Sequence, residues 1–342
     1  MTHYFSKLAY SFSIPILGLL TLLFPALVNG CTSAFDYQER KVVTETNISV
    51  ISKSGSKQSE KALDIFVFNN DKLRRLDSYQ RFESWEEGRL GIASCSGEKI
   101  VCAIANSGYD RFNWAQVNNL GSIDKITVSL ENERPDKCTS CGIMEITAGE
   151  DAGDFALTPL VSQVVLRSVR CDFSGQPYEG EKIKDARAYL INVNAECPVN
   201  AIKQDYPMRI INNGHLEEGD LDNFICKEII LQNFHEAIGN SVNKCNLEYL
   251  CFPNTSQVES PGSPFTRLVL EGKIAGKTYY WSISVGRDNE GCGIVRNCNY
   301  IYDLDIRRKG TSDPDIPAGV ESVQFKLVVE KWEEKSTYEI LF

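Results

Sequence analysis

The stretch LDIFVF at residues 63–68, followed by the turn-forming NND at 69–71, decides the fold class. In an extended chain, its leucine, isoleucine and valine share one face and its two phenylalanines lie on the other. A strand that is apolar on both faces is typical of the centre of a sheet. We therefore expect this run to be a central strand of a buried β-sheet.

Short β-branched and aromatic runs recur along the rest of the chain, separated by Gly, Pro and Asn. The further predicted strands are residues 100–105, 126–130, 144–147, 160–169, 186–193, 208–211, 267–270, 279–285, 300–306, 323–329 and 338–342, after a polar stretch at 32–60 that has apolar patches at 42–43 and 48–51 and leads to a first strand. Helical periodicity is confined to Glu83–Arg89 and Leu221–Asn240, and no alternating βαβ pattern occurs. The pattern predicts a mainly β protein built of β-sandwiches.

The length of 342 residues indicates two domains, at about 150 residues per domain. A turn-rich stretch, FSGQPYEGE at 173–181, divides the chain near its middle. We expect a tether with the first strand at 31–60, an N-terminal β-sandwich at 61–175 and a C-terminal β-sandwich at 176–342.

The charge balance argues against nucleic acid as a partner. The chain has 36 Lys and Arg against 46 Asp and Glu, a formal charge of −10, and its densest basic group is only Arg307-Arg308-Lys309. Binding to phosphates needs clustered Lys and Arg. With three histidines in all, catalysis by a histidine pair or a multi-histidine metal site has little material.

Residues 1–30 are typical of an export signal. The apolar run at 14–24 is about half the length of roughly 20 residues that a membrane span needs. A small residue, Gly30, then precedes Cys31, as in bacterial lipoprotein signals, in which the cysteine thiol receives the lipid. The sequence predicts lipidation at Cys31 and a membrane anchor; the alternative is an ordinary secretory signal followed by a chance cysteine.

Eleven cysteines remain after Cys31, three pairs of them close in sequence. They are Cys95 with Cys102, on either side of a predicted hairpin turn, Cys138 with Cys141, and Cys292 with Cys298. An exported protein can form disulfides, but spacing alone does not give the pairing, and an odd number leaves a free thiol. Structural disulfides or free thiols are favoured over a metal or redox site, since no second C-x-x-C accompanies the first.

The sequence contains no recognisable catalytic motif. No G-x-G-x-x-G, Walker loop, G-x-S-x-G or H-E-x-x-H is present. The acidic cluster at 217–222 lacks the ligand spacing of a calcium loop. His215 and His235 are expected to be surface or capping residues, and Trp281 and Trp332 are expected in the core, with sugar-binding platforms as the alternative. We predict no catalytic residue, metal or cofactor.

Several segments, in order along the chain, resemble the fimbrillin family, the subunits and anchors of the lipoprotein-derived type V pili of Gram-negative bacteria. The segments are LDIFVF at 63–68, VCAIANSG at 101–108, LRSV at 166–169, ARAYLINVN at 186–194, LEYLCFPN at 247–254, TYYW at 278–281, VRNCNY at 295–300 and KW at 331–332. The first two resemble the strands that open the family's N-terminal domain, and LRSV resembles the strand that closes it.

The resemblance implies two tandem transthyretin-like β-sandwich domains and a structural role at the outer membrane. Stalk pilins of the family lose their first strand to an arginine-specific protease, and a strand from a neighbouring subunit fills the groove. Candidate cleavage sites are Arg40, Arg74 and Arg75. An anchor subunit is not cut and keeps its lipid, and the sequence leaves anchor, stalk and tip subunit open.

The C-terminal residues suit strand donation. Val323–Val329 alternates apolar and polar residues, and Tyr338, Ile340 and Phe342 then alternate with Thr337 and Glu339. An apolar strand at the end of a chain needs a groove, either its own or a neighbour's. These three residues are the candidate donor strand; the alternative is that both strands complete the home sandwich.

Three functions remain in competition. The leading hypothesis is a non-enzymatic fimbrial subunit or anchor, lipid-anchored in the outer membrane, whose partners are other fimbrial subunits. The second is a surface lipoprotein that binds glycans or host proteins as an adhesin. The third is a hydrolase that acts through carboxylates, which the scarcity of histidine and of nucleophile motifs disfavours.

Overall fold

The computed structural model describes residues 42–53, 62–86, 88–109, 113–200, 204, 206–287, 291–331 and, for the backbone alone, 338–340. The strands of the first half are β1 (Val43–Ser52), β2 (Leu63–Asn69), β3 (Leu76–Phe82), β4 (Gly88–Cys95), β5 (Glu98–Ala105), β6 (Thr127–Ser129), β7 (Ser140–Thr147), β8 (Asp154–Pro159) and β9 (Ser162–Cys171). Those of the second half are β10 (Lys184–Ile191), β11 (Val193–Asn194), β12 (Glu196–Pro198), β13 (Ile210–Ile211), β14 (Leu231–Asn233), β15 (Leu247–Cys251), β16 (Arg267–Ile274), β17 (Lys277–Ser284), β18 (Cys298–Ile306), β19 (Val323–Lys331) and β20 (Tyr338–Ile340).

Helix is sparse in the described part of the chain. It consists of α1 (Leu120–Ile123) and the single 3₁₀ turns Leu130–Asn132, Glu218–Leu221 and Lys227–Ile229. The prediction of a mainly β protein is therefore confirmed.

Three sheets contain most of the strands. A seven-stranded sheet has the order β3-β2-β5-β7-β8-β1-β4, a four-stranded sheet the order β14-β10-β16-β17, and a five-stranded sheet the order β15-β9-β18-β19-β20. Strand β9, which contains the segment LRSV at 166–169, pairs in parallel with β18 of the second half. The turn-rich stretch after β9 leads to β10, and the boundary between residues 175 and 176 stays a prediction.

Strand β2 has the central position that its two-sided apolar pattern predicts. It lies between β3 and β5, and antiparallel bonds join it to both. Its phenylalanines, Phe66 and Phe68, pack in the large core shared with the C-terminal sheets. Leu63, Ile65 and Val67 pack in a second core formed by the seven-stranded sheet alone. The two faces of one strand thus bury side chains in two different cores.

The hairpin of β16 and β17 shows how the sequence sets local structure. Ala275 and Gly276 form a two-residue loop, and both have positive φ, at 49° and 78°. Such a loop matches the twist of two antiparallel strands. The hairpin places Trp281 opposite Leu270 in the core, where its side chain is wholly buried.

Neither segment with helical periodicity forms an α-helix in its described residues. Residues 83–86 form a bend with no regular structure, and β4 begins at Gly88, which has φ 143°. This polar segment offers too little apolar surface for a helix to pack. Within Leu221–Asn240 the chain forms the 3₁₀ turn Lys227–Ile229 and then β14, which pairs with β10. Ile229 and Ile230 reach the core through this turn.

The predicted hairpin between Cys95 and Cys102 is also wrong. A tight turn at Gly97 does join β4 to β5, but the two strands are not neighbours in the sheet. Strand β4 instead lies beside β1, at the far end of the sheet order. Strands β3, β4 and β8 were not predicted, since polar residues break up their apolar pattern.

Candidate strand-exchange site

The first strand, β1, is an interior strand of the seven-stranded sheet. It lies between β8 and β4, and it pairs in parallel with β8, with Ser49 opposite Asp154 and Ser52 opposite Leu157. Its inward residues Ile48 and Val50 are wholly buried. Burial of an aliphatic side chain of this size contributes about 1.5–3 kcal/mol to stability. Without β1, the sheet would have an apolar slot with two unpaired edges, and we call this position the β1 slot.

The two ends of the seven-stranded sheet are tied together by side chains of β3 and backbone groups of β4. The Cys95 amide donates to Asp77 Oδ2 at 2.6 Å, and the Ser78 hydroxyl donates to the Ala93 carbonyl at 2.5 Å. The Gln80 side chain accepts from the Ala93 amide at 3.3 Å and donates to its carbonyl at 3.2 Å. These bonds satisfy backbone groups on the outer edge of β4. Strand β4, which borders the β1 slot on one side, is therefore fixed in place by β3.

Asp77 is itself fixed by a buried lysine. Burial alone would raise the pKa of Asp77, but the hydrogen bonds from the Cys95 amide and the Lys99 ammonium outweigh this effect, and the pKa lies below its usual value. Lys99 Nζ lies 3.2 Å from Asp77 Oδ2 and donates to Asn69 Oδ1 at 2.6 Å. The ionised carboxylate therefore ties β3, β4 and β5 at one corner of the sheet.

The candidate cleavage residues Arg74 and Arg75 are exposed in the turn between β2 and β3. Arg74 adopts a positive φ of 46°, its amide is bound by Asp71 Oδ1 at 2.8 Å, and its carbonyl accepts from the Leu120 amide at 3.0 Å. A cut after either arginine would separate both β1 and β2 from the rest of the sheet. Arg40, the third candidate, lies outside the described residues.

Strand β2 carries a buried ionic network that holds it to β3. The Asp64 carboxylate accepts from Arg81 Nη1 at 3.0 Å and from the Tyr79 hydroxyl at 2.7 Å. Burial raises the pKa of Asp64, and the bonds from Tyr79 and Arg81 counter only part of this effect. Arg81 Nη1 also donates to the Tyr109 carbonyl at 2.8 Å. Removal of β2 would leave these groups without their partners.

The candidate donor strand lies at the outer edge of the five-stranded sheet. Strand β20 pairs antiparallel with β19, with Tyr338 opposite Val329 and Ile340 opposite Leu327. Strand β19 is in turn paired along its whole length with β18. The third donor residue, Phe342, lies outside the described residues. In this structure β20 therefore completes its own sheet, through three residue pairs.

A strap formed by residues 310–320 covers the edge of the four-stranded sheet at β17. Thr311 and Tyr280 exchange two backbone bonds of 2.9 and 3.0 Å, and the Ala318 amide donates to the Ser282 carbonyl at 2.9 Å. The buried Arg267 fixes the strap, because its Nη1 lies 2.6 Å from Asp315 Oδ1. The sheet edge that β17 would otherwise expose is thereby blocked.

Apart from the Cys95 amide, which donates to Asp77, the other residues singled out by the sequence make none of the contacts described above. Cys102, Cys138, Cys141, Cys292 and Cys298 are free thiols, as are Cys171, Cys197, Cys226, Cys245 and Cys251, and Cys31 lies outside the described residues. His215 and His235 are exposed, as predicted, and Trp281 is in the core. Trp332 is outside the described residues.

The described residues have neither a metal-binding cluster nor a membrane-spanning helix. They contain no group of three or more His, Cys, Asp or Glu side chains placed to hold a metal ion. Over the same ranges, no helix has the length and hydropathy required to cross a bilayer.

Sequence reasoning missed the features that shape the site. The bonds from Asp77, Ser78 and Gln80 to β4 join the first and last strands of the sheet order. A polar strand pattern gives no indication of them. The sequence predicted a first strand within residues 31–60, but not its parallel pairing with β8.

Comparison with solved structures shows which fold this arrangement is. A proposed cell adhesion protein from Bacteroides eggerthii matches with a TM-score of 0.64 and 13% identity, over 85% of this chain and 96% of that one. The fimbrilin FimA of Porphyromonas gingivalis W83 matches with a TM-score of 0.59 and 15% identity, over 84% and 98%. The tip fimbrial protein Mfa3 of Porphyromonas gingivalis, truncated at its C-terminus, matches with a TM-score of 0.52 and 11% identity, over 85% and 100%.

No family model matches the sequence, and neither does any curated protein. At these identities the structural similarity shows the fold alone. The chain has the fold of the fimbrillins, as the ordered sequence motifs predicted.

Proposed function

We propose that this protein is a fimbrial subunit, exported as a lipoprotein and joined to its neighbours by donation of its C-terminal strand. The observation that carries the proposal is the position of β20, at the outer edge of a sheet and attached through three residue pairs with β19. Its fold is shared with a fimbrilin and a tip fimbrial protein. The fold has no need of a cofactor or a catalytic group to perform such a role.

The physics of strand exchange favours this use of β20. An edge strand leaves a row of unpaired N–H and C=O groups on its partner when it departs, and a strand from another chain restores both. Main-chain bonds give the affinity, and alternate side chains set the register. The alternation of Tyr338, Ile340 and Phe342 with polar residues supplies such a register.

The position of β1 supports a subunit that donates a strand without accepting one. No arginine occurs between residues 41 and 73, so an arginine-specific protease has no site that would remove β1 and spare β2. A cut after Arg40 leaves β1 whole, and a cut after Arg74 or Arg75 also removes the buried β2. A subunit that keeps β1 and the lipid on Cys31 fits the base of a fibre, at the outer membrane.

Fibre assembly in cells tests the donation. The Ile340→Asp variant should fold as a monomer but fail to enter fibres, because a charge would have to enter the neighbour's apolar groove. The matched control is Glu339→Ser, at the adjacent position on the other face of the strand, and it should assemble normally. Equal incorporation of both variants into fibres would refute the proposal.

The intact mass of the protein taken from cells tests the position in the fibre. A base subunit should begin at a lipidated Cys31 and retain β1. A chain that begins just after Arg40, Arg74 or Arg75 would instead identify a processed stalk or tip subunit.

Adhesion is a second candidate function, favoured by the similarity to a proposed cell adhesion protein. An adhesive site for glycans would need exposed aromatic rings, and Trp281 does not qualify because its ring is buried and Nε1 donates to the Arg308 carbonyl at 2.9 Å. Binding to a glycan array by the purified protein would establish this function, and it should be insensitive to Ile340→Asp.

A further inference from the structure

Strand β7 has a paired strand on only one side over most of its length. It is paired with β5 along its whole length, but its pairing with β8 ends at Cys141. A Cβ atom at Gly142 would lie 2.4 Å from the Ala156 carbonyl oxygen, so β8 comes too close here for any residue but glycine. The rest of β8 pairs with β1 instead. Within the ranges that the structure describes, no strand pairs with the outer side of residues 143–147, and we call this side the open edge of β7.

The hydrogen-bond alternation of an antiparallel pair shows which backbone groups face the open edge. The Ala148 amide donates to the Gly97 carbonyl at 3.0 Å, so the even-numbered residues of β7 are those that bond to β5. The amides of Ile143, Glu145 and Thr147 therefore point away from β5, toward the open edge. The Ile143 side chain is 49% exposed. A row of outward backbone groups on a strand is a template for the addition of another strand.

Acidic and apolar side chains border the open edge on opposite faces of the sheet. Glu98 of β5 lies opposite Thr147, so its carboxylate and that of Glu145 are on one face. Met144 is on the other face, where it packs against the core formed by the seven-stranded sheet alone. A cleft of about 260 Å³ runs beside these residues, and Glu150 also lines it. Of the described residues that line the cleft, none is Lys or Arg, so its charge is negative.

We propose that the open edge of β7 binds an extended segment of another protein, which carries Lys or Arg on one face and apolar side chains on the other. Backbone bonds to Ile143 and Glu145 supply the affinity, as in other cases of strand addition to a sheet edge. The side chains set the specificity. Basic groups meet the carboxylates of Glu98 and Glu145, and apolar groups on the other face cover Met144.

Charge argues against a second copy of this protein as the occupant. The chain has a formal charge of −10, and its own candidate donor strand carries Glu339. Like charges across two strands destabilise their pairing, and like-charged surfaces repel each other at a distance. The open edge is also separate from the β1 slot, which lies between β8 and β4. The inference therefore goes beyond the proposed function and does not depend on it.

Hydrogen exchange of the full-length protein, resolved by residue with NMR, tests the binding of a strand directly. The probe is a seven-residue peptide of alternating Lys and Val. At saturation it should slow exchange of the Ile143, Glu145 and Thr147 amides at least tenfold. The amides of Met144 and Ile146 already bond to β5 and should change less than twofold. The control peptide has Pro in place of each Val, which keeps the charge but prevents pairing. No protection, or equal protection by both peptides, would overturn the proposal.

Substitutions at the edge give an independent test, with peptide binding measured by fluorescence anisotropy. Ile143→Pro removes an amide that faces the open edge and none that bonds to β5, so the protein should fold and bind the peptide at least tenfold more weakly. Glu145→Lys should weaken binding at least fivefold. The matched control is Glu236→Lys, at an exposed site in the second half of the chain, and it should change binding less than twofold. Equal weakening by the two lysine variants would show that the peptide responds only to net charge, and would refute the proposal.

The same measurements separate this inference from strand donation. Ile340→Asp, which should block fibre assembly, should leave peptide binding unchanged, because the donor strand is no part of the open edge. If Ile143→Pro does not fold, the amide protection of the natural protein decides the matter. Protection of Ile143 and Glu145 that rises with protein concentration in the absence of peptide would identify a second copy of this chain as the occupant, and the proposal would then be wrong.

Discussion

Arg81 and Asp64 form a buried ion pair that joins the central strand β2 to the edge strand β3. Nη1 of the arginine lies 3.0 Å from each carboxylate oxygen, and the Asp64 side chain is 1% exposed. The pair lies at the end of the β2–β3 hairpin that is far from the turn containing Arg74 and Arg75, since Phe68 and Leu76 adjoin that turn. It is one reason why β2 is an integral part of the sheet, and why a cut in that turn would not yield a folded acceptor subunit.

Arg81→Met should destabilise the protein by about 3–5 kcal/mol, because it leaves the buried Asp64 carboxylate with the Tyr79 hydroxyl but without its charged partner. Urea unfolding followed by fluorescence measures the change. The double variant Asp64→Leu/Arg81→Met should recover most of the loss. Arg89→Met, which removes an exposed pair of 3.9 Å with Asp151, is the control and should cost at most about 1 kcal/mol. A similar loss for both single variants would contradict this account of β2.

Glu133 should make stability depend on pH. Burial raises the pKa of its carboxyl from 4.5 to about 7, although the Thr139 amide donates to it at 2.9 Å. The neighbouring titratable groups are the thiols of Cys138 and Cys197, whose pKa values burial also raises. The folded state therefore holds a proton that the unfolded chain releases above pH 4.5.

The sign follows from this proton. The contribution of the protonated Glu133 to the free energy of unfolding is fully present below pH 4.5. It is lost as the pH rises toward 7, by about 3 kcal/mol in all. Glu133→Gln should remove this loss, so that the variant gains stability over the natural protein as the pH rises from 5 to 8. Glu145→Gln, at an exposed site, should leave the pH profile unchanged. Parallel profiles for the natural protein and Glu133→Gln would show that Glu133 does not titrate in this range.

The β1 slot can be examined by cutting the chain between β1 and β2. With residues 54–61 replaced by a cleavable linker, we expect β1 to remain bound after the cut, through its pairing with β8 and the burial of Ile48. Ile48→Ala should weaken the binding of a 42–53 peptide by about 2–5 kcal/mol, which is roughly thirtyfold or more. Asn47→Ala, on the exposed face of β1, is the control.

Gel filtration of the cut protein and titration with the labelled peptide measure both effects. Loss of β1 immediately after the cut, or equal weakening by Asn47→Ala, would show that β1 does not fill an apolar slot.

The sequence allowed a correct prediction wherever apolar alternation was strong. LDIFVF predicted a central strand, and the runs around Trp281 and Val323–Val329 predicted β17 and β19, because burial on a sheet face leaves a period of two. The helical periodicity at Leu221–Asn240 corresponds to no α-helix, because the apolar residues of isolated turns can mimic a helical period. Strand β4 was missed since its stability depends on contacts from β1 and from Asp77, Ser78 and Gln80, which lie far away in sequence.

The donor residues illustrate the same limit. Their alternation predicted a strand at 338–342, and the structure shows the backbone of 338–340 paired with β19. Alternation alone did not reveal a cavity at the beginning of β19, because its walls come from β17, the strap and β19, which meet only in the folded chain.

Photocrosslinking from residue 340 in whole cells tests strand donation most directly. A photoreactive phenylalanine analogue at position 340 should join this chain to a neighbouring fimbrial subunit in assembled fibres, at that subunit's strand-accepting groove. The same analogue at the exposed Val242 should give no such product. Adducts that connect residue 340 only to β19 of its own chain, even within fibres, would contradict the account.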